Sequence, residues 1–363
     1  MDRKKWYAIA TLVGGATALA IYLAPFAKAE AHLKPMGANA IFRHSWASLR
    51  TDSFGETLTY QNSLLPPQVN LARLINLPVP DGSVTTINLY QNSPHSWRFE
   101  EINQADAVVG VVARDHNQLV TYQGQDNQRT ISTLPAALQS PWTLWQIPAP
   151  GTWEKDWSAS TAVTHIGNLP AYQVTLTPRV PGTLWGSVTY WFQGQYFVPL
   201  GVRVRDQSGS TVFSVKAAVF TEGSPGSSAS PPSAGTVVAW HVSPALNQVT
   251  HQLAGSSNAL PPAPFPRHLG PLIRTSQRKA GDNAIAVYGT GPGRVLVLST
   301  PAKVWTGRRA QSFLRPIRGS AQFRGVTDGV FSVVTFRRNR REITLMGSRT
   351  QTELARWAQS EWR

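Results

Sequence analysis

The sequence contains no cysteine. That excludes disulfides, thiolate metal sites, cysteine nucleophiles and lipid attachment through a thiol. It does not assign a reducing compartment, because an exported protein can do without the residue. The 8 histidines include no H-x-H or H-x-x-x-H pair, so no metal site is expected. No G-x-S-x-G elbow occurs. The glycine-rich run Tyr288–Arg294 lacks the Lys-Ser/Thr ending of a phosphate loop and lies between two strand-like runs, which predicts a hairpin turn. Glu100 and Glu101 are neighbours on a strand and point to opposite faces, so they cannot share a proton. A non-enzymatic protein with no cofactor and no metal is therefore expected; only a triad assembled from distant segments stays open. Acidic residues are also scarce in one place. Residues 1–235 carry 16 Lys+Arg against 14 Asp+Glu, whereas 236–363 carry 18 against 5. The net charge of +15 is mostly a property of the last third, and it is mostly arginine.

The one long uncharged run is at the N-terminus. Arg3, Lys4 and Lys5 precede Trp6–Ala27, and Ala27-Lys28-Ala29 fits a small-x-small cleavage site. The run is longer than a usual signal core and close to the ~20 residues that span a bilayer. Residues 1–30 are read as a signal peptide or a retained anchor. Either way the basic end stays in the cytoplasm and the rest is exported.

Ala38–Arg50 predicts one short amphipathic helix, with Ile41, Phe42, Trp46 and Leu49 near one face. Glu56–Gln61 alternates as a strand. Val84–Gly124 reads as a four-stranded antiparallel meander, with a polar hairpin at Arg114–Asn117. Period two places Trp97 and Phe99 on one face and Arg98 and Glu100 on the other. The apolar face has to be covered by a lid, a second layer or a ligand. Thr130–Ser160 has four tryptophans, four prolines and no period, and reads as an excursion folded over the sheet. Strands resume at Ala162–Ile166, Ala171–Pro178, Leu184–Phe192, Phe197–Asp206 and Thr211–Phe220. Tyr172, Val174 and Leu176 share a face; so do Val188, Tyr190 and Phe192, and Leu200, Val202 and Val204. Residues 31–222 are expected to form one domain, and the Gly/Ser/Pro run 223–235 a flexible linker. Residues 236–363 are expected to form a small basic α+β domain. It would contain a possible helix at Val242–Leu253, five strands and a terminal helix opened by a Thr350-x-x-Glu353 capping box. The fold class is mostly β, with helices subordinate.

The order of these features resembles a known group. NLYQNSPHSWRFE (Asn88–Glu100), VVARDHNQLVTYQ (Val111–Gln123), GNLPAYQVTLTPR (Gly167–Arg179) and Phe197–Asp206 resemble the LolA-like fold of bacterial lipoprotein carriers. REITLMGSRTQTELARWAQS (Arg341–Ser360) resembles the C-terminal part of the RseB/MucB-type periplasmic regulators. Each motif is weak alone; together they cover most of 38–220 and the last eighty or so residues. The Trp-rich run Trp142–Trp157 and Ala234–Gln277 depart from the pattern. The resemblance implies an open antiparallel half-barrel whose apolar face holds acyl chains of a lipid or lipoprotein, and an anti-sigma factor as a partner.

From the residues, the ligand-facing set is Trp97, Phe99, Tyr122, Tyr172, Val174, Leu176, Val188, Tyr190, Val202 and Val204. The second candidate surface is Arg337, Arg338, Arg340 and Arg341, which suits an anionic membrane or wall polymer. Nucleic acid is not expected outside the cytoplasm. Each cation near an anionic surface is worth ~1 kcal/mol, so four give only about millimolar affinity. The rival reading is an envelope interaction protein that works through its basic domain without a small ligand.

Overall fold

A computed structural model describes residues 33–63, 84–116, 118–123, 128–133, 147–223, 225, 236–239, 265–280, 283–301, 314–318 and 320–362. The possible helix at Val242–Leu253, the export segment and nearly all of the expected linker lie outside these residues. Among the described residues, no helix is long and apolar enough to cross a membrane.

The chain is mostly β and builds two sheets. The first part contains helix α1 (Ala38–Ser48) and the strands β1 (Phe54–Asn62), β2 (Val84–Ser93), β3 (Ser96–Asn103), β4 (Val108–Asp115), β5 (Gln118–Gln123) and β6 (Gln128–Thr133). Next come β7 (Trp157–Ile166), β8 (Leu169–Pro178), β9 (Trp185–Gln193), β10 (Pro199–Asp206), β11 (Thr211–Glu222) and β12 (Thr236–Ala239). These twelve strands form one open sheet in the order β12-β6-β5-β4-β3-β2-β1-β11-β10-β9-β8-β7. Every neighbouring pair is antiparallel except β12 with β6. Thr236–Ala239 thus sits on the first sheet, although it follows the expected linker.

The second sheet has eight strands: β13 (His268–Leu269), β14 (Leu272–Ala280), β15 (Asn283–Tyr288), β16 (Val295–Pro301), β17 (Arg315–Ile317), β18 (Ser320–Asp328), β19 (Phe331–Arg338) and β20 (Arg341–Gly347). Their order is β13-β14-β15-β16-β20-β19-β18-β17. Helix α2 (Gln351–Glu361) packs on this sheet, with Leu354, Trp357, Ala358 and Trp362 in one core with Phe323 and Phe336. Its N-cap is Thr350, whose hydroxyl oxygen accepts from the Glu353 amide at 3.2 Å. Glu353 itself lies 3.8 Å from Arg349. The glycine run Gly289–Arg294 is the β15–β16 hairpin, with a 3-10 turn at Gly291–Gly293.

The two halves touch directly. The Thr183 hydroxyl lies 2.9 Å from that of Ser348 and 3.2 Å from the Pro292 carbonyl. The Leu184 amide donates to the Ser348 carbonyl at 2.7 Å, and Arg349 donates to the Pro181 carbonyl at 2.6 Å. Thr290 donates to Asp156 at 2.9 Å. Gly291, at φ +54, lets the hairpin approach Asp156 so closely that a Cβ there would stand 2.4 Å from the Asp156 Cβ.

Candidate functional site: the inner face of the first sheet

Register decides which side chains share the face under α1. Phe99 lies opposite both Leu89 and Val112, and Leu89 opposite Glu56. Across the sheet, Val202 pairs with Tyr190, Tyr190 with Val174, and Val204 with Val188. Val188 pairs in turn with Leu176. Directly opposed residues point to one side. Trp97, Phe99, Tyr172, Val174, Leu176, Val188, Tyr190, Val202 and Val204 therefore belong to one apolar face, and all nine are buried in a single core.

Tyr122 does not join them. It pairs with Val111, and Val111 with Glu100, which puts Tyr122 on the outer face with Arg98. Trp97 pairs with Arg114, and Arg114 with Leu119, so a tyrosine three residues beyond Leu119 points away. The outer face here mixes polar side chains with the buried Val111, Ala113 and Val120: Arg98 pairs with Glu100 at 2.5 Å, and Asn88 donates to Glu100 at 3.3 Å.

Helix α1 covers the inner face. Ile41 and Phe42 are fully buried. The Phe42 ring makes edge-to-face contacts with Trp153, Tyr190 and Phe192, with centroids 5.8–5.9 Å apart. An isolated helix of eleven residues is marginal in water, so these contacts hold it in place. The Trp153 indole N–H donates to Asn39 at 3.0 Å, tying the excursion to the start of α1. Trp142 and Trp145 lie outside the described residues.

Polar groups sit inside this apolar setting. Glu56 is 2 % exposed, and among the described residues neither carboxyl oxygen has a hydrogen-bond partner. Burial pushes its pKa well above the carboxylate range. The Ser45 hydroxyl on α1 and the Trp97 indole N–H are also buried without a partner. Gln91, by contrast, donates to the carbonyls of Leu49 and Asp52 and pins the end of α1. Period two from Leu58 places Glu56 on the inner face; that alternation was the available signal, and composition alone hides it.

An open cleft of ≈ 340 Å³ lies at the β7 margin, lined by Gly37, Ala38, Asn39, Ala40, Trp153, Glu154, Ala159 and Thr161. The sequence reading started this strand at Ala162 and so missed its exposed first half.

The arginine surface is divided. Arg337 and Arg340 are exposed and Arg338 half-buried at the β19–β20 hairpin. Arg341 is buried and donates to the Ser299 hydroxyl at 2.7 Å and carbonyl at 3.0 Å. It braces the sheet and does not face an anionic surface.

No protein-family model matches the chain, and no curated protein does. Solved structures do. MucB in the MucA/MucB complex of Pseudomonas aeruginosa aligns at 16% identity, with a TM-score of 0.50, over 88% of this chain and 96% of that chain. A second structure, MucB in complex with MucA(peri), aligns at 15% identity and TM-score 0.48, over 89% and 97%. A LolA superfamily protein from Nitrosomonas europaea aligns at 10% and 0.22, over 52% and 94%. The resemblance to MucB-type proteins read from the sequence thus holds at the level of the fold, and the chain covers 96% of that first structure's chain.

Proposed function

We propose that this chain is an exported, non-enzymatic envelope protein whose inner sheet face binds an acyl chain of a lipid or lipoprotein. Its basic second half would contact an anionic membrane, a wall polymer or an anti-sigma-type protein. One observation carries the reading: a largely apolar surface, interrupted by Glu56 and Gln91, runs from β3 to β8 under one short helix and Trp153. The fold likeness to MucB, solved with MucA, supports a regulator that works by capture and contact.

Magnitudes show what binding requires. A buried chain of about 14 carbons gains roughly 11 kcal/mol, at about 0.8 per CH₂. Displacing Ile41 and Phe42 returns about 3–6 kcal/mol. Association costs at least ~4 kcal/mol more. The remainder is small, so the helix sets the affinity.

Native mass spectrometry of the chain from residue 30 onward, gently extracted from a host envelope, is expected to show an added lipid mass. Phe42→Ala, which empties the seat, is expected to take up a fluorescent fatty acid about tenfold or more tightly than the parent. A bare chain mass, with no uptake by either form, overturns the acyl reading. The seating of Phe42 against three aromatic rings favours the second reading in that event: an interaction protein that works through its basic half without a small ligand.

A further inference from the structure

We infer that the outer edge of β7 is a docking site for an extended segment of another protein, added to the sheet as a further strand. That segment would carry one Lys or Arg side chain into the cleft towards Glu154. The inference stands on the edge itself and not on the acyl-chain reading.

Four sheet edges exist among the described residues. Three are short: β12 has 4 residues, β13 has 2, and β17 has 3, with an arginine and a proline among them. Proteins blunt their edges with brevity, charge and proline. β7 uses none of these. It has ten residues, WSASTAVTHI, without lysine, arginine, acid or proline, and most of them are exposed. Val163 is 42% exposed. All ten pair with β8 in unbroken register, and no strand among the described residues pairs with the far side.

The backbone groups on that far side can be assigned. Gly167, at φ +57, and Asn168 form a two-residue hairpin that joins Ile166 to Leu169. His165 is opposite Pro170, which has no N–H, and the Pro170 carbonyl accepts from Gly194 on the β9 side. His165–Pro170 is therefore a non-hydrogen-bonded pair. Alternation then turns the N–H and C=O groups of Ala159, Thr161, Val163 and His165 outward. These are a ready template for strand addition, in which main-chain bonds supply affinity and pockets for alternate side chains supply specificity.

The pocket is present. Ala159 and Thr161 pair with Leu176 and Val174, so they point to the inner side, where they line the cleft. An added strand would place every second side chain beside them. Across the cleft stands Glu154, the one charged residue of its lining. Glu154 accepts a hydrogen bond from Asn39, and no cation among the described residues pairs with it. The positive end of α1 also favours this exposed carboxylate, a modest effect at the surface. The stem of a Lys or Arg can lie along Trp153 and the small residues Gly37, Ala38 and Ala40 while its head reaches Glu154. A second copy of β7 would bring only Trp157, Ala159, Thr161, Val163 and His165 to that side. None is a permanent cation, which argues for a different protein as the occupant.

The test uses the full chain and a fluorescein-labelled peptide of about nine residues that alternates Thr and Val around a central Arg, read by anisotropy. Saturable binding is expected. Exchanging the central Arg for Glu should weaken it about tenfold. Thr161→Pro removes an outward N–H without touching the β8 ladder, and Val163→Lys places a charge on the edge. Each should weaken binding about tenfold or more. Glu154→Gln should keep binding but lose most of the preference for Arg over Glu. Absence of saturable binding to the unaltered chain overturns the inference, as does undiminished binding to a folded Val163→Lys protein. That exposed position decides the matter even if Thr161→Pro fails to fold. A parent dimer that Val163→Lys converts to a monomer, with no peptide bound by either form, assigns the edge to a second copy and also overturns it.

Discussion

Glu56 is a costly placement on the first sheet. Its strand neighbour Leu58 and its partner Leu89 are apolar and buried, and among the described residues its own carboxyl oxygens have no partner. An ionised carboxylate there would be strongly disfavoured, so the folded chain holds the proton to higher pH than the unfolded chain does. Because the folded pKa is raised, stability is greatest below the unfolded value. It falls as pH rises from about 4.5 towards the folded pKa, since in that window the unfolded state binds fewer protons. Glu56→Gln keeps the shape and removes the titration. Urea unfolding between about pH 5 and 8 should show the parent losing stability with rising pH and the variant staying nearly flat. Equal slopes in the two proteins would assign the effect to another group.

The β19–β20 hairpin shows how one element divides the work of a single run of arginines. Asn339 and Arg340 both take left-handed φ, 49° and 59°, as a two-residue turn requires. That turn puts Arg337 opposite Glu342 and Arg338 opposite Arg341. Arg337 and Arg340 are left to solvent, while Arg341 is drawn onto Ser299 of β16. Arg341→Ala is expected to cost about 1.5–3 kcal/mol of stability, as lost charge-assisted hydrogen bonds do. Arg337→Ala with Arg340→Ala should leave stability within about 0.5 kcal/mol and weaken sedimentation with anionic vesicles at low salt. Vesicle binding untouched by the double change would remove the hairpin from any membrane contact. The sequence showed the hairpin and its charge, but not which arginine turns inward, because that depends on a serine forty-two residues away. The same holds elsewhere. Alternation over Trp97–Glu100 and Tyr172–Leu176 made the apolar face legible, since period two is a local property. The fate of Tyr122 was not legible: its face is set by pairing with Val111, and the intervening hairpin breaks the count. The cover was legible as a helical or loop lid, with the Trp-rich excursion folded over the sheet; that α1 and Trp153 share it shows only in the packing of Phe42.

At the scale of the whole molecule, the two sheets meet through loops. Their contact is both polar and apolar: Val330, between β18 and β19, is buried in the first sheet's core, Val180 and Val212 pack against Gly293 and Gly329, and polar bonds surround them. Thr183, in the β8–β9 connection, is 2 % exposed, and Ser348, just after β20, is 3 % exposed. Their hydroxyl oxygens lie 2.9 Å apart and both lie within reach of the Pro292 carbonyl, so two protons are shared among three contacts. Arg349 adds a bond to Pro181 and lies 5.5 Å over the Trp357 ring, so the start of α2 is tied to the first sheet as well as to its own core. No such coupling follows from sequence periodicity, because every partner is a loop residue more than a hundred positions away. The polar part of this junction is sensitive to losing one of its groups, since each orphaned buried partner costs about 1–3 kcal/mol. Thr183→Val keeps the shape and leaves the Ser348 hydroxyl with one partner fewer. The parent should unfold in a single calorimetric transition, with the two sheets coupled. The variant should show two resolved transitions and a larger radius of gyration in solution scattering. A single unshifted transition with unchanged scattering would mean that the Arg349 and Asp156 contacts hold the halves together without the hydroxyl pair.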